Sequence, residues 1–272
     1  MVSSFFVAKK PYKKSIFYVA FASCNSFVIS YFYGMKKGIV VLVLFVFYTS
    51  LSAQKEHVSS YSTVSVTYKV HPKFFLFAEG QLRGIEDYSY PDYYEIKGGI
   101  GYNLTKNHKP FIGIGRYGNY KNHLLDKEEF RLWLQDVVDL KAGKYKFENR
   151  VRAEKSWFYE PQKDITSDRI RLRYRMNVSV PLNADSVKPG TIFANAYDEV
   201  FFVVTEKPTF ARNRVYGGLG YQIDENFGIA SGYLWQREFA KSGNKNLHFL
   251  YLSLNITIDA ADDKNYEFPG AD

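Results

Sequence analysis

Polar and apolar side chains alternate with a period of two from residue 56 onward. Between Arg169 and Val180, every second residue is apolar or aromatic, and the residues between them are Arg, Asn or Ser. A helix would scatter these arginines around its circumference, whereas a strand places all of them on one face. The period therefore predicts β-strands that have one apolar and one polar face.

Eleven segments of this kind follow one another, most of them about a dozen residues long. They are 56–70, 73–84, 93–104, 110–120, 129–141, 145–158, 168–180, 191–203, 212–223, 227–238 and 247–258. Strands of soluble sheets usually have about five or six residues, and longer strands suit a tilted bilayer crossing. The segments predict an all-β fold, an antiparallel transmembrane β-barrel of about 10–12 strands.

The connections between these segments alternate in predicted length. Short connections fall at 71–72, 105–109, 142–144 and 224–226, with 181–190 as a longer exception on that side. Longer connections fall at 85–92, 121–128, 159–167, 204–211 and 239–246. Short turns at one end and long loops at the other are typical of outer-membrane barrels.

The count of eleven conflicts with the even number that a single-chain barrel with both ends in the periplasm requires. Three explanations remain open. A strand is missed or miscounted, the first segment does not span, or segments 56–70 and 247–258 close the wall in parallel.

Arginine marks the predicted inner face of the wall. All twelve Arg follow residue 53, and ten fall on this face: 83, 116, 131, 150, 152, 169, 171, 173, 175 and 214. Arginine is weakly hydrated and binds carboxylates with a planar fork, so it suits a buried ion-pair network. Glu79, Glu95, Glu129, Glu148, Glu154 and Glu199 supply counter-charges.

We predict a lumen network of fourteen residues from this pattern. Its members are Glu79, Arg83, Glu95, Arg131, Glu148, Arg150, Arg152, Glu154, Arg169, Arg171, Arg173, Arg175, Glu199 and Arg214. We favour a paired ladder that fills the lumen and sets the strand register. The alternative is a narrow pore in which excess arginine selects anions.

A soluble periplasmic β-sandwich that acts as a binding module is the main alternative fold, with its apolar faces in a core. Strand length favours the membrane barrel, as does the polar face that a wide closed wall would enclose. Aromatic residues near strand ends suit interfacial girdles or reflect ordinary β-propensity. They are Tyr68, Phe74, Tyr102, Tyr145, Trp157, Tyr221 and Trp235.

Residues 1–53 are predicted to lie outside the fold. They hold six of the 36 basic residues and no acidic ones, so the remainder carries 30 basic and 28 acidic side chains. The net charge of +8 therefore does not indicate a nucleic-acid partner. Residues 35–53 resemble a signal peptide with an apolar run at 39–48 and a cut at Ala53–Gln54.

The remaining boundaries follow from that cut. Residues 1–34 are predicted to be an over-called extension, or else a membrane helix near 16–33. Residues 54–258 form the barrel, and 259–272 form an acidic tail. The expected location is the Gram-negative outer membrane, with the lipid bilayer and the assembly machinery as partners and a monomeric state.

Four strands resemble an uncharacterised outer-membrane family, domain of unknown function 2490. Arg150–Glu154 and Arg169–Arg175 are similar to its signature strands, and Phe130–Gln135 and Arg214–Tyr221 also match. The resemblance covers about residues 54–258 and implies a location and an architecture rather than an activity. Outer-membrane barrels often end on an aromatic residue, whereas the last strand here ends at Ile258.

No catalytic, cofactor or metal site is predicted. Gly113–Gly118 matches G-x-G-x-x-G but lies inside a strand, where glycine relieves crowding by aromatic rings. The five His show no metal-ligand spacing, and the only Cys, Cys24, lies in the leader. A lipid hydrolase is a weak alternative, because His248 and Ser253 would point to opposite faces of one strand.

Overall fold

The computed structural model describes residues 58–84, 90–205, 207 and 209–261. Eleven strands lie within these ranges. They are β1 (Val58–His71), β2 (Phe74–Gly84), β3 (Tyr93–Tyr102), β4 (His108–Lys121), β5 (Leu124–Ala142), β6 (Tyr145–Glu160), β7 (Ile165–Pro181), β8 (Ile192–Val203), β9 (Phe210–Gln222), β10 (Phe227–Glu238) and β11 (Lys245–Asp259). The predictions for the leader, for Cys24 and for the tail beyond residue 261 fall outside the described residues.

The eleven strands form one closed barrel, so the predicted all-β barrel is confirmed and a β-sandwich is excluded. Consecutive strands pair antiparallel, while β1 pairs with β11 in parallel from Val58↔His248 to Lys69↔Asp259. Parallel closure, one of the three explanations for the odd count, is therefore the one observed. The expectation of an even number of strands is wrong.

An odd number of strands places the two ends of the wall on opposite rims. We call the end where β1 begins at Val58 the N-terminal rim. The end where β11 finishes at Asp259 is the C-terminal rim. No helix among the described residues is long and apolar enough to cross a membrane.

The predicted division into short turns and long loops is not observed. The C-terminal rim carries connections 72–73, 103–107, 143–144, 182–191 and 223–226. The N-terminal rim carries 85–92, 122–123, 161–164, 204–209 and 239–244. Strands β5, β6 and β7 extend beyond their predicted bounds, so the connections at the two rims have similar lengths.

The largest change concerns the loop predicted at 121–128. It shrinks to Asn122 and His123, which have positive φ angles of 50° and 62°. Two consecutive positive φ angles give a type I′ turn, whose twist matches that of the flanking strands. This tight hairpin joins β4 to β5 directly.

Large apolar side chains cover the outer face of the wall. Ile96 on β3 is 66% exposed and Leu134 on β5 is 63% exposed, although both lie in the interior of a strand. The seven aromatic residues proposed for girdles alternate with the inward positions of their strands and face outward. The inner face carries mostly charged, amide and aromatic side chains, with a few buried aliphatic residues such as Leu234.

Candidate site in the barrel lumen

Four arginines face one another on the inner side of β6 and β7. Arg150 lies directly opposite Arg175, and Arg152 lies opposite Arg173. Like charges at directly opposed positions destabilise a strand pair unless other groups compensate them. The neighbouring carboxylates therefore decide whether this arrangement is stable.

Two buried glutamates connect most of these arginines. Glu154 accepts hydrogen bonds from Arg173 Nη1 at 2.6 Å and from Arg171 Nε at 2.7 Å, and its side chain is 0% exposed. Glu199, on β8, accepts from Arg150 at 2.6 Å and from Arg173 Nη2 at 2.7 Å. Arg173 therefore bridges the two carboxylates, and this bridge spans three adjacent strands.

Further ion pairs extend this group into the arginine network. Arg175 pairs with Glu148, and Arg131 donates to Glu129 through Nε at 2.7 Å. Arg214 approaches Glu199 at 3.7 Å. The arginine network is defined as Arg131, Arg150, Arg152, Arg171, Arg173, Arg175 and Arg214 with Glu129, Glu148, Glu154 and Glu199. Seven guanidinium groups share four carboxylates in it.

Two arginines of the network have an amide as their main partner. Arg152 donates from Nε to Gln135 Oε1 at 2.8 Å, and its nearest carboxylate oxygen, on Glu154, is 3.6 Å away. Arg214 donates from Nη2 to Gln236 Oε1 at 2.7 Å. An amide oxygen satisfies a donor but does not neutralise the positive charge.

A second, balanced cluster lies on β2 and β3. Lys97 contacts Glu79 at 2.5 Å and also pairs with Glu95. Arg83 lies 3.5 Å from Glu95, and its guanidinium carbon is 4.3 Å from the ring centroids of both Tyr61 and Tyr93. Two cations thus meet two anions.

The structure brings thirteen of the fourteen predicted lumen residues into these two groups. Arg169 also faces inward, but it lies over the Phe158 ring at 4.7 Å and has no carboxylate contact among the described residues. Glu129, predicted only as a counter-charge, joins the arginine network.

One arginine assignment is wrong and one inward arginine was missed. The sequence predicts that Arg116 lies on the inner face, yet its side chain is 66% exposed on the outside and pairs with Glu128. It shares its parity with the outward residues Ile112 and Ile114, a signal present in the sequence. Arg212 was not predicted to face inward, but it does so and pairs with Glu238.

Aromatic residues on the inner face were also missed. Phe75 and Phe77 on β2, Phe111 on β4 and Trp133 on β5 form a group that we call the aromatic wall, in which Phe111 lies 6.2 Å from each of the other three rings. Alternation gives the signal for Trp133, which sits between the inward residues Arg131 and Gln135.

Glycines beneath the aromatic wall give its rings space. A Cβ atom at Gly113 would overlap the Trp133 ring, and one at Gly101 would overlap the Phe75 ring. Gly113 begins the G-x-G-x-x-G match, which lies within β4 as predicted. These glycines let the rings lie against the backbone instead of filling the lumen.

Two cavities that the described residues line lie inside the barrel. The C-rim cavity has a volume of about 720 Å³ and extends to the C-terminal rim at Lys69, Lys106 and Lys109. Nine basic and three acidic side chains line it, together with the aromatic wall. The N-rim cavity has a volume of about 820 Å³, and no residue lines both cavities.

A model of the family described as "Protein of unknown function (DUF2490)" matches residues 58–247 of the chain. The chain belongs to the DUF2490 family. The match covers β1 to β10 and the start of β11. No curated protein matches the chain.

The N-rim cavity of this DUF2490 protein is lined by Arg171, Arg212 and Phe201. The Phe201 ring is 1% exposed, and the guanidinium carbon of Arg173 approaches its centroid to 4.5 Å. Lys163 lies in the connection between β6 and β7, where a hydrogen bond to Glu160 raises the pKa of Lys163.

The residues considered for lipid hydrolysis do not form a pair in this DUF2490 protein. His248 alternates with the inward residues of β11 and contacts the outward Tyr233, while Ser253 has the opposite parity. Among the described residues, no group of three or more His, Cys, Asp or Glu is arranged to hold a metal ion.

Proposed function

We propose that the protein is an integral outer-membrane β-barrel whose lumen is closed by the arginine network, with a structural or passive binding role and no catalysis. It would be made as a secreted precursor, inserted by the outer-membrane assembly machinery and remain a monomer. The observation that carries this proposal is the apolar outer face of a wall that has a charged interior.

The outer face is too apolar for a water-exposed surface. Contiguous exposed apolar patches on soluble monomers rarely exceed a few hundred Å². Here, side chains more than half exposed occur on adjacent strands at Ile96, Ile112, Leu134 and Val151. Hydrocarbon contact would stabilise this surface, whereas water would not.

Strand length and closure support the same proposal. A strand needs about 9–11 residues to cross a bilayer at a tilt. The strands here have 10 to 19 residues. Closure satisfies the backbone hydrogen bonds of β1 and β11, which would otherwise form open edges in lipid.

Burial and charge support a closed lumen. The Glu154 side chain is 0% exposed and that of Glu199 is 2% exposed, although both face the interior of the barrel. The cavities on either side have no lining residue in common. A ladder of buried ion pairs would therefore block the passage of ions.

Membrane insertion is tested with two matched substitutions on β5. Leu134→Arg puts a charge near the middle of the outward face, and Leu124→Arg puts one at the N-terminal rim. In a bilayer, Arg costs about 2–4 kcal/mol at the midplane and about 0–1 kcal/mol near the interface. We expect Leu134→Arg alone to reduce the heat-modifiable folded band in the membrane fraction after carbonate extraction.

Equal yields of the two variants, with the mature protein in the soluble fraction, would contradict membrane insertion.

Lumen closure is tested separately by planar-bilayer recording of the pure refolded protein. We expect no channel events. Reproducible anion-selective steps would instead support the pore that the excess of arginine suggests.

A further inference from the structure

The arginine network has more positive than negative charge in a place that water hardly reaches. Its seven guanidinium groups share four carboxylates, and Arg152 donates its hydrogen bonds to an amide oxygen. Charges in a low-dielectric interior are costly unless a counter-charge lies nearby. The network is therefore electrostatically incomplete and would be stabilised by an added anion.

The surplus charge faces the C-rim cavity. Arg150, Arg152, Arg173 and Arg175 all line it. Of these, Arg175 has Glu148 as its only hydrogen-bond partner among the described residues, through Nη2, so its Nη1 has no partner there; its Nε is buried and also unpaired. Guanidinium groups that still have free N–H donors bind carboxylates well, since two parallel hydrogen bonds form at once.

The aromatic wall lines the same cavity as these arginines. The guanidinium carbon of Arg152 lies 5.0 Å from the ring centroid of Trp133, so the charged and aromatic surfaces meet. The volume of about 720 Å³ falls within the range of small-molecule sites. Lys106, in the connection at the C-terminal rim, adds positive charge at the entrance.

We propose that the C-rim cavity binds an amphiphilic organic anion, with its carboxylate on Arg150, Arg152 and Arg175 and its apolar body against the aromatic wall. This goes beyond the proposed function, because the site is defined by the lumen alone and is testable in refolded protein. The anion would complete the arginine network and remain bound instead of passing through the barrel.

Octanoate serves as the probe, because it joins a carboxylate to an apolar chain. Trp133 lies in the aromatic wall, and the substitutions Trp157→Phe and Trp235→Phe leave it as the last of the three tryptophans. We expect octanoate to change the Trp133 fluorescence of the folded barrel in a saturable way. Octan-1-ol, which lacks the charge, should bind at least about tenfold more weakly.

Arg152→Gln and Arg175→Gln should each weaken octanoate binding about tenfold or more. Arg116→Gln is the matched control, because this arginine lies on the outer face with 66% of its side chain exposed. The Arg116→Gln variant should bind octanoate with the same affinity as the parent protein. Heat-modifiable migration in gels shows whether each variant is folded. If an arginine variant does not fold, the comparison of octanoate with octan-1-ol still tests the proposal, because it uses the parent protein.

Three results would overturn the proposal. The first is the absence of saturable octanoate binding to the folded parent protein. The second is equal affinity for octanoate and octan-1-ol, which would remove the role of the arginines. The third is an equal response to inorganic phosphate at the same concentration, which would remove the role of the aromatic wall.

Discussion

Glu199 is a residue whose loss should disturb the lumen strongly. It is 2% exposed and holds Arg150 and Arg173 at 2.6 and 2.7 Å. Glu199→Gln keeps the shape but removes the negative charge, so Arg150 loses its carboxylate partner and Arg173 keeps only Glu154. Breaking a buried ion pair costs about 3–5 kcal/mol, and we expect a decrease of that size in unfolding free energy.

Denaturant titration of the refolded protein measures this decrease, with the folded fraction determined from heat-modifiable migration in gels. Glu128→Gln is the matched control, because Glu128 pairs with the outward Arg116 at 2.7 Å. An exposed pair contributes about 0–1 kcal/mol. A Glu199 variant as stable as the Glu128 variant would show that the network does not support the fold.

Gly113 is needed for the position of Trp133. A Cβ atom at Gly113 would overlap the indole ring, whereas a Cβ at the outward Gly217 would meet nothing within 4 Å. Overpacking costs about 1–3 kcal/mol, so Gly113→Ala should destabilise the barrel and shift Trp133 fluorescence. Gly217→Ala should leave both unchanged or slightly raise stability. Equal effects of the two substitutions would contradict this role.

Alternation predicted individual residues well where charged and apolar positions are separate, as between Arg169 and Val180. It failed at Arg116, because a charged side chain was assigned inward against the parity of its own strand. Partners such as the Gln135 amide on Arg152 depend on contacts across strands. A single sequence does not specify such contacts.

At the scale of elements, the β5–β6 hairpin depends on the backbone of one turn residue. Gly143 has a φ of 56°, and nothing lies within 4 Å of a Cβ placed there, so conformation alone favours glycine. Gly143→Ala should lower the unfolding free energy by about 1–2 kcal/mol. Gly143→Asn should lower it less, since Asn adopts the left-handed conformation more readily. Denaturant titration compares them, and equal losses would contradict this reason.

The eleven segments and their order along the chain were predictable, whereas the ends of the strands and the parallel closure were not. All eleven predicted segments correspond to strands, since each keeps a period of two over about ten residues. The region 121–128 contains Leu124 and Leu125 among polar and charged residues in no clear pattern, so the sequence predicts a loop there. A tight turn at Asn122 and His123 instead extends both strands, and cross-strand pairing stabilises these extensions.

At the scale of the whole molecule, parallel closure is open to direct test. Ser65 and Asn255 are paired across β1 and β11, and their side chains form a hydrogen bond of 2.9 Å. Cysteines at these two positions should form a disulfide under oxidation, provided that the chain starts at Gln54 and lacks Cys24. Faster migration of the boiled, unreduced chain in a gel would show the cross-link.

The matched control joins Ser65→Cys with Gly228→Cys. Gly228 pairs with Asn255 on the next strand, so it lies two strands from Ser65. Strands are spaced about 4.8 Å apart, which puts this pair beyond the reach of a disulfide. Equal cross-linking of both pairs, or of neither, would contradict the observed closure.

In the outer-membrane location that we propose, parallel closure also determines how the chain crosses the bilayer. A tag placed just before Val58 and another placed just after Asp259 would face different compartments. A protease added to intact cells should therefore remove one tag and spare the other. During insertion, one terminus of the chain would therefore have to cross the membrane. A barrel with an even number of strands avoids this step, because both of its termini stay on the same side.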